Sequence, residues 1–355
     1  MNPLSLYIHI PFCKQKCNYC DFASYAGKEN LIEEYINTVI NEIKHLRPTA
    51  LSTVYIGGGT PSLIAPKYYE KIFKLLSIAP GAELSLEANP GTINQSYLKE
   101  LKNIGVNRLS LGAQSFNDKH LEILGRIHNA KDIFKSFDDA QAAGFENINL
   151  DLIFALPNQT HNDWKEDLKQ ALSLKPQHLS IYNLQVEEGT KFYNIGDKLP
   201  RPTEDEEVAM FEYAIDTLKT AGFHHYEISN FAQPGFECKH NVVYWENGNY
   251  LGVGASASSH INGNRFDNPK TIEEYIKLTQ LQNKVDLLGH KNQPDQKETI
   301  FMGLRLLDGL SKEKFKGYEK EVKELIDDGL LEQKDKIKLT HRGLLLANEV
   351  FKLFI

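Results

Sequence analysis

The chain lacks a long apolar run, a cationic leader and an excess of basic charge. A membrane-spanning helix needs about 20 apolar residues, and no stretch of this length is present. The start, MNPLSLYIHIPF, has neither the positive charge nor the small-residue cleavage site of a secretory signal. Lys and Arg number 40 against 47 Asp and Glu, a formal net charge of −7, whereas nucleic-acid-binding proteins are usually basic. We therefore expect a cytoplasmic protein with no membrane segment and no nucleic-acid partner.

Cysteine is also scarce, with four residues in 355, too few for a disulfide framework. Three of them, Cys13, Cys17 and Cys20, fall within eight positions, and such clustering indicates a metal site. Three thiolates at this spacing can bind a 4Fe–4S cluster and leave one iron without a protein ligand. The alternative is structural zinc, which needs a fourth protein ligand, for which His9, Cys238 and His240 are the candidates.

Short β-rich runs alternate with amphipathic helical patterns over the first two-thirds of the chain. The six predicted strands are residues 4–10, 52–59, 83–89, 107–115, 147–157 and 177–185. The helices that follow them are predicted at residues 30–44, 66–78, 94–103, 133–143, 162–174 and 205–221. This alternation is typical of an α/β fold with a parallel sheet. We predict a complete or partial barrel over residues 1–230, with its active site at the carboxyl ends of the strands; a doubly wound sheet is the alternative.

The composition changes after residue 230. Residues 231–287 are predicted to be a connecting segment, and the polar stretch LGHKNQPDQKE at 288–298 is typical of a linker. Residues 288–355 have the pattern of a winged-helix-like domain, with a helix, a two-stranded wing around Lys334 and Asp335, and a final helix. The acidic balance favours an accessory packing module over DNA binding.

The residues around the cysteines, YIHIPFCKQKCNYCDF at 7–22, closely resemble the signature of the radical S-adenosylmethionine (SAM) enzymes. In that family, the amino and carboxylate groups of SAM chelate the vacant iron, and the reduced cluster cleaves SAM to a 5′-deoxyadenosyl radical. The resemblance implies a partial (β/α)6 TIM-like barrel and a cluster loop at residues 10–25. It also implies a 4Fe–4S cluster held by Cys13, Cys17 and Cys20.

By the same resemblance, residues near the ends of the predicted strands contact SAM. Acidic side chains would bind the ribose hydroxyls or the ammonium group, and an arginine suits the SAM carboxylate. Each residue also has an ordinary alternative as a turn glycine, a helix cap, a surface side chain or a packing aromatic. The implied SAM-binding set is Tyr7, Tyr19, Gly58, Gly59, Thr60, Glu87, Gln114, Arg126 and Asp151.

The whole chain resembles the branch of this family that contains oxygen-independent coproporphyrinogen III oxidase and the heme chaperones. Two features depart from the oxidase: Phe22 stands where the oxidase has a further cysteine, and only six residues precede Tyr7, where the oxidase has an N-terminal arm. The sequence HNVVYW at 240–245 instead matches the HNxxYW motif of the heme chaperones.

The resemblance implies that the motif residues His240, Asn241, Tyr244 and Trp245 bind heme. An imidazole suits heme iron, and the two aromatic rings offer flat surfaces to a porphyrin. The alternative is a core histidine beside aromatic residues. Cys238 is predicted to be a buried small apolar residue rather than a second thiolate ligand.

These features predict a heme chaperone that carries a 4Fe–4S cluster with exchangeable SAM and passes heme to an acceptor protein, which could be membrane-associated. An electron donor for the cluster is a further implied partner. The alternative is an enzyme that oxidatively decarboxylates coproporphyrinogen III, and a third possibility is a structural zinc protein.

Overall fold

The computed structural model describes residues 4–277 and 295–354. The first part of the chain has the predicted alternation of strands and helices, and the six predicted βα units are confirmed. Its elements are β1 (Leu4–Ile10), β2 (Phe12–Cys13), β3 (Tyr25–Ala26), α1 (Ile32–Leu46), β4 (Leu51–Gly58), α2 (Pro66–Phe73), β5 (Ile78–Ala88), α3 (Gln95–Asn103), β6 (Arg108–Gln114), α4 (Asp118–Leu124), α5 (Ala130–Ala142), β7 (Ile148–Phe154), α6 (His161–Ser173), β8 (His178–Asn183), α7 (Lys191–Ile195) and α8 (Glu204–Thr220).

Strands β1, β4, β5, β6, β7 and β8 pair in this order, each parallel to the next. The helices between them supply the crossovers that parallel strands require. Their ends match the sequence signals: Gly105, Gly144 and Gly222 adopt positive φ just after α3, α5 and α8. The fold is therefore a partial (β/α)6 barrel, in agreement with the prediction.

Side chains alternate between two environments along each strand. In β6, Leu109 and Leu111 belong to the apolar core, whereas Ser110, Gly112 and Gln114 line a cavity inside the half-barrel. The same alternation in the neighbouring strands gives an apolar outer layer under the helices and a polar inner surface. The core thus holds the sheet rigid while the inner surface remains available for ligands.

Residues 222–277 follow with β9 (His224–Glu227), β10 (Asn230–Ala232), α9 (Lys239–Trp245), β11 (Tyr250–Val253), β12 (Ser258–Ile261), β13 (Asn264–Asp267) and α10 (Ile272–Ile276). These strands extend the barrel sheet at both edges into an 11-stranded sheet, with β11 parallel to β1 and β10 antiparallel to β8. The boundary predicted at residue 230 therefore falls inside a strand. Residues 231–277 of the predicted connecting segment contribute strands to the sheet, and its residues 278–287 lie outside the described residues. The added strands have only three or four residues, too few for a clear hydrophobic period.

Part of the predicted linker, residues 288–294, lies outside the described residues. The chain then forms α11 (Gln296–Gly303), β14 (Leu310–Ser311), α12 (Glu319–Asp327), β15 (Leu331–Gln333), β16 (Lys336–Leu339), α13 (His341–Leu345) and α14 (Ala347–Phe351). The predicted wing is β15 paired with β16, and β14 adds a third strand.

This C-terminal part has an apolar cluster of its own, which includes Ile300, Leu325 and Val350. It docks on the barrel through backbone hydrogen bonds from Ile228 N to Arg305 O (3.2 Å) and from Leu307 N to the Tyr226 carbonyl (3.1 Å). Within residues 4–277 and 295–354, no helix combines the length and the apolar character needed to cross a membrane.

Candidate functional site

The three clustered cysteines lie between β1 and α1, at the carboxyl end of the parallel strands: Cys13 ends the short strand β2, and Cys17 and Cys20 lie on the loop that follows it. Backbone and side-chain hydrogen bonds hold this loop in place: Asn18 N donates to Leu124 O (2.9 Å), Tyr25 N to Pro11 O (2.7 Å), and His9 Nε2 bonds to Ala23 O (2.8 Å). All three thiols border one cavity of about 420 Å³. The loop is therefore a fixed part of the cavity wall.

The three thiols form no disulfide. Neighbouring side chains donate hydrogen bonds to the sulfurs of Cys13 and Cys17. Burial raises the pKa of the Cys13 thiol, and a hydrogen bond from Thr60 Oγ1 to its sulfur (3.5 Å) opposes that effect. Burial also raises the pKa of Cys20. The Arg126 guanidinium donates from Nη1 to Cys17 Sγ (3.4 Å). Arg126 and Thr60 thus place a positive charge and a hydroxyl donor beside the sulfurs, where they can hydrogen-bond to thiolates that hold a metal.

Zinc fits this arrangement poorly. Within the described parts of the chain, no group of three or more His, Cys, Asp or Glu side chains is placed to hold a single metal ion. The three candidate fourth ligands are engaged elsewhere: His9 by Tyr7 and Ala23, and the other two, Cys238 and His240, by hydrogen bonds inside the barrel. An iron–sulfur cluster suits the donor set better, because each thiolate binds a different iron and the sulfurs need not converge on one point.

Most of the residues predicted to bind SAM share the cavity with the cysteines, while Tyr7 lines a neighbouring cavity instead. They come from several neighbouring strands and from the loops that follow them, which is why distant parts of the sequence meet here. Those that line the cavity with the thiols are Tyr19, Gly58, Gly59, Thr60, Glu87, Gln114, Arg126 and Asp151.

Two of the glycines are required by the close approach of the backbone to the cysteine loop. Gly58 has a φ of +118°, and a Cβ atom there would lie 2.6 Å from the His9 ring. A Cβ atom on Gly59 would lie 2.8 Å from the carbonyl oxygen of Phe12 and 3.0 Å from Cys13 Sγ. Only glycine fits at these two positions, so the strand end reaches the cluster loop without a side chain between them.

Glu87 lies at the end of β5 and borders both cavities. Its carboxylate accepts hydrogen bonds from the Tyr55 hydroxyl (2.8 Å) and from Gly58 N (3.1 Å). Burial, and then the nearby Asp151, raise the pKa of Glu87 to about 7. The pKa of Asp151 is also raised by burial, although Ser110 and Asn149 donate to its oxygens. Two buried acidic groups thus lie close enough to interact electrostatically.

Arg126 is not an ordinary surface arginine. Besides Cys17, its guanidinium bonds to Asn89 Oδ1 and to Gly112 O (2.8 Å), and its Nε is buried without a hydrogen-bond partner among the described residues. The side chain therefore bridges the cysteine loop and β6 with donor capacity left over. That arrangement suits an anionic group at the cavity mouth.

Helix α9, which carries the predicted heme motif, lies against the inner surface of the half-barrel. Glu83 accepts hydrogen bonds from Lys239 N (3.0 Å) and His240 N (3.3 Å) at the start of the helix. A carboxylate at a helix N-terminus is a favourable arrangement, so Glu83 anchors α9 inside the barrel.

The structure buries His240 inside the barrel. The side chain has no exposed surface, and its two ring nitrogens bond to Thr53 Oγ1 (2.6 Å) and to the Tyr244 hydroxyl (2.8 Å). Burial, and then the charge of Arg108, lower the pKa of His240 to about 3, so the ring is neutral. In this conformation both ring nitrogens are hydrogen-bonded, and His240 lines neither of the two cavities described here. The alternative reading, a core histidine beside aromatic residues, describes its surroundings.

The other motif residues are divided between two cavities. Asn241 lines the cavity that contains the cysteines, whereas Tyr244 and Trp245 line the second cavity, of about 450 Å³. The Arg305 guanidinium lies 4.3 Å from the centre of the Trp245 ring. The structure therefore does not bring the four motif residues to one surface.

The second cavity lies between the cysteine loop, β1, β11, α9 and α11. Phe22, with 63% of its surface exposed, stands at its rim. Tyr250 and Met302 complete an apolar wall that sequence reasoning did not find. The sequence near the motif gives no signal for Met302, because this residue belongs to the C-terminal part and reaches the cavity only through the docking of α11.

Comparisons with known proteins agree with this architecture. The Radical SAM superfamily model matches residues 7–171, and the HemN C-terminal domain model matches residues 295–346. The chain is 40% identical to the heme chaperone HemW of Bacillus subtilis (strain 168), over 99% of both chains. It is 34% identical to the heme chaperone HemW of Escherichia coli (strain K12), over 99% of this chain and 98% of the relative.

Among solved structures, the chain is similar to coproporphyrinogen III oxidase (HemN) from Escherichia coli, a radical SAM enzyme. The TM-score is 0.81 and the sequence identity 26%, and the match covers 99% of this chain and 90% of that one. This similarity extends over the barrel and the C-terminal part together.

Proposed function

Because the chain belongs to the radical SAM superfamily and, within it, to the HemW family, we propose that it is a heme chaperone that binds heme and transfers it to an acceptor protein. The observation that carries this proposal is the second cavity, whose aromatic wall is built partly from Tyr244 and Trp245 of the HNxxYW motif. Flat aromatic rings bind a porphyrin face well. A rim that includes the exposed Phe22 leaves one side of a bound heme open to a partner.

We further propose that Cys13, Cys17 and Cys20 hold a 4Fe–4S cluster with SAM on its fourth iron. When bound, the cluster supplies an electron that can cleave SAM. The protein contributes the surroundings: Arg126 and Thr60 donate hydrogen bonds to the cysteine sulfurs, and the free donor of Arg126 can meet the SAM carboxylate. Gly58 and Gly59 leave room for the ligand beside the loop.

The two cavities are adjacent, because Phe22, Gly58 and Glu87 line both. Heme in the second cavity would therefore lie next to SAM, with Glu87 between them. A ligand in one cavity can thus alter the charge or position of a residue that the other ligand contacts. This adjacency is the structural basis on which the SAM site could gate heme release.

We assign His240 a positioning role. Its hydrogen bond to the Tyr244 hydroxyl fixes one wall of the second cavity, whereas ligation of iron would require the bond at the ligating nitrogen to break. His240→Ala should then weaken heme binding without a shift of the Soret band of the complex, and Tyr244→Phe, which removes the same hydrogen bond, should reproduce the weaker binding. A shifted Soret band in the His240 variant alone would instead identify the imidazole as an iron ligand.

The alternative function is the oxidative decarboxylation of coproporphyrinogen III. The similarity to the oxidase over almost the whole chain supports this alternative only through the shared fold. Phe22 in the position of the oxidase's further cysteine argues against it. The experiment is to incubate reduced, cluster-reconstituted protein with SAM and coproporphyrinogen III, and in parallel to mix heme-loaded protein with apomyoglobin as a heme-acceptor probe. We expect heme transfer and no turnover of the porphyrinogen. Protoporphyrinogen formation over many turnovers would contradict the chaperone proposal.

A further inference from the structure

The first cavity extends from the cysteine loop to the amino end of β6. Arg108 and Gln114, the first and last residues of β6, both line it. Six residue steps of β-strand separate them, a distance of at most about 20 Å at the usual rise per residue. The cavity therefore has a floor, at Arg108, that is distinct from the mouth, where the cysteines lie.

Arg108 is buried and lacks partners. Only 2% of its surface is exposed, and its Nε and Nη1 atoms are buried with no hydrogen-bond partner among the described residues. No acidic side chain in the described ranges forms an ion pair with it. A buried guanidinium without a hydrogen-bonded partner is costly, because desolvation opposes the charge. The unpaired donors of Arg108 therefore suit an anionic group supplied by a ligand.

Glu83, an acidic side chain that interacts electrostatically with Arg108, is already engaged. Glu83 accepts hydrogen bonds from the Ser85 hydroxyl (3.2 Å) and from Lys239 N (3.0 Å) and His240 N (3.3 Å) of α9. Its charge helps to keep Arg108 protonated, but its oxygens are committed to anchoring the helix. Arg108 therefore interacts with the charge of Glu83 without a hydrogen bond between them, while its Nε and Nη1 atoms have no hydrogen-bond partner among the described residues.

The other polar residues of the floor satisfy one another. Asn149 Nδ2 donates to Ser110 Oγ (2.7 Å), Asp151 Oδ1 (2.7 Å) and Ser180 Oγ (3.0 Å), and its Oδ1 bonds to a histidine ring. Ser110 and Ser180 are also short, so they leave space beside the guanidinium. The floor combines open volume, a closed polar network and one free cationic donor.

We propose that this floor is a binding site for a small carboxylic acid, whose carboxylate is held by Arg108 beneath the SAM-binding residues. The planar fork of a guanidinium matches a carboxylate and can donate two parallel hydrogen bonds to it. The ligand must be small, because the same cavity of about 420 Å³ also holds the proposed SAM site. Heme in the second cavity plays no part in this site, so the two proposals can fail separately.

The test is calorimetric titration of acetate, as the probe, into the full-length, cluster-reconstituted protein with SAM present. We expect saturable binding that weakens by about tenfold to hundredfold in Arg108→Gln, the range for loss of a charged hydrogen bond. Arg342→Gln removes an exposed guanidinium from the C-terminal part and should leave acetate binding unchanged. Ser180→Leu keeps Arg108 but fills the floor, and should also abolish binding.

Three results would overturn the proposal. These are an absence of saturable acetate binding to the wild-type protein, equal affinities in wild type and Arg108→Gln, and saturable binding of inorganic phosphate but not of acetate. If Arg108→Gln does not fold, Ser180→Leu decides between a ligand in the floor and a carboxylate bound elsewhere. The readout is binding alone, so heme transfer does not influence it.

Discussion

The charge of Glu87 should control the affinity of the protein for SAM. The carboxyl group lies in the cavity wall between Gly58 and Asp151, and burial raises its pKa to about 7. SAM is a cation, so it should bind more tightly when Glu87 is ionised. Replacing Glu87 by Gln keeps an acceptor for the Tyr55 hydroxyl but removes the charge.

The size of the effect follows from the pKa. With a pKa near 7, the ionised fraction of Glu87 rises from about 9% at pH 6 to about 91% at pH 8, which corresponds to about tenfold in affinity. The shift from an ordinary value of 4.5 to about 7 amounts to about 3 kcal/mol. Because the folded pKa is the higher one, Glu87 makes the free energy of unfolding fall as pH rises from about 4.5 to about 7.

The assay is anaerobic equilibrium dialysis of SAM against reconstituted, unreduced protein between pH 6 and pH 8. The ratio of wild-type to Glu87→Gln affinity cancels the titration of SAM itself. We expect this ratio to rise about tenfold across the range. A ratio that is constant, or that falls, would show that Glu87 does not titrate there or does not contact SAM.

Three further sets of substitutions test the cluster ligands, the SAM site and the buried histidine separately. Replacing any of the three clustered cysteines by Ala should abolish the visible absorbance of the cluster, while Cys238→Ala, whose thiol bonds to a carboxylate inside the barrel, should keep it; equal loss in all four variants would contradict the ligand assignment. Gly58→Ala should prevent SAM binding, because its Cβ would clash with the His9 ring, and unchanged SAM affinity would refute the close approach. Thr53→Val leaves Nδ1 of His240 without its partner and should lower the free energy of unfolding by about 1–3 kcal/mol, measured by urea denaturation; a change below this range would mean that the imidazole finds another partner.

The strands of the barrel could be predicted because their alternation is strong. In β6, apolar residues alternate with polar ones. Leu109 and Leu111 mark the face that packs in the core, and Ser110 and Gln114 mark the face that lines a cavity. The carboxyl ends of parallel strands lie at one edge of the sheet, so the grouping of Gln114 with Glu87 also followed from the pattern.

The burial of His240 could not be predicted in the same way. Its partner Thr53 is 187 positions away in the sequence, and the motif alone does not reveal that α9 enters the half-barrel. An HN pair beside two aromatic residues has the same sequence whether the imidazole faces a ligand or the core. Only the packing of α9 against β4 decides between them.

The free donors of Arg108 were equally hidden. A lone arginine at the start of a strand looks like a surface residue, and its isolation depends on which partners Glu83 has already taken. The second cavity depends in the same manner on the docking of α11, which brings Met302 beside Tyr244 and Trp245. Such features arise from tertiary contacts that local sequence patterns do not encode.

The central claim is that heme binds in the second cavity, and titration of heme into anaerobically purified protein, followed in the Soret band, tests it most directly. Wild type should be compared with Trp245→Ala and with Tyr193→Ala, which removes an exposed aromatic ring that lines neither cavity. We predict saturable one-to-one binding in wild type and Tyr193→Ala and much weaker binding in Trp245→Ala. An absence of saturable binding in the wild type, or equal affinities in all three proteins, would contradict the claim.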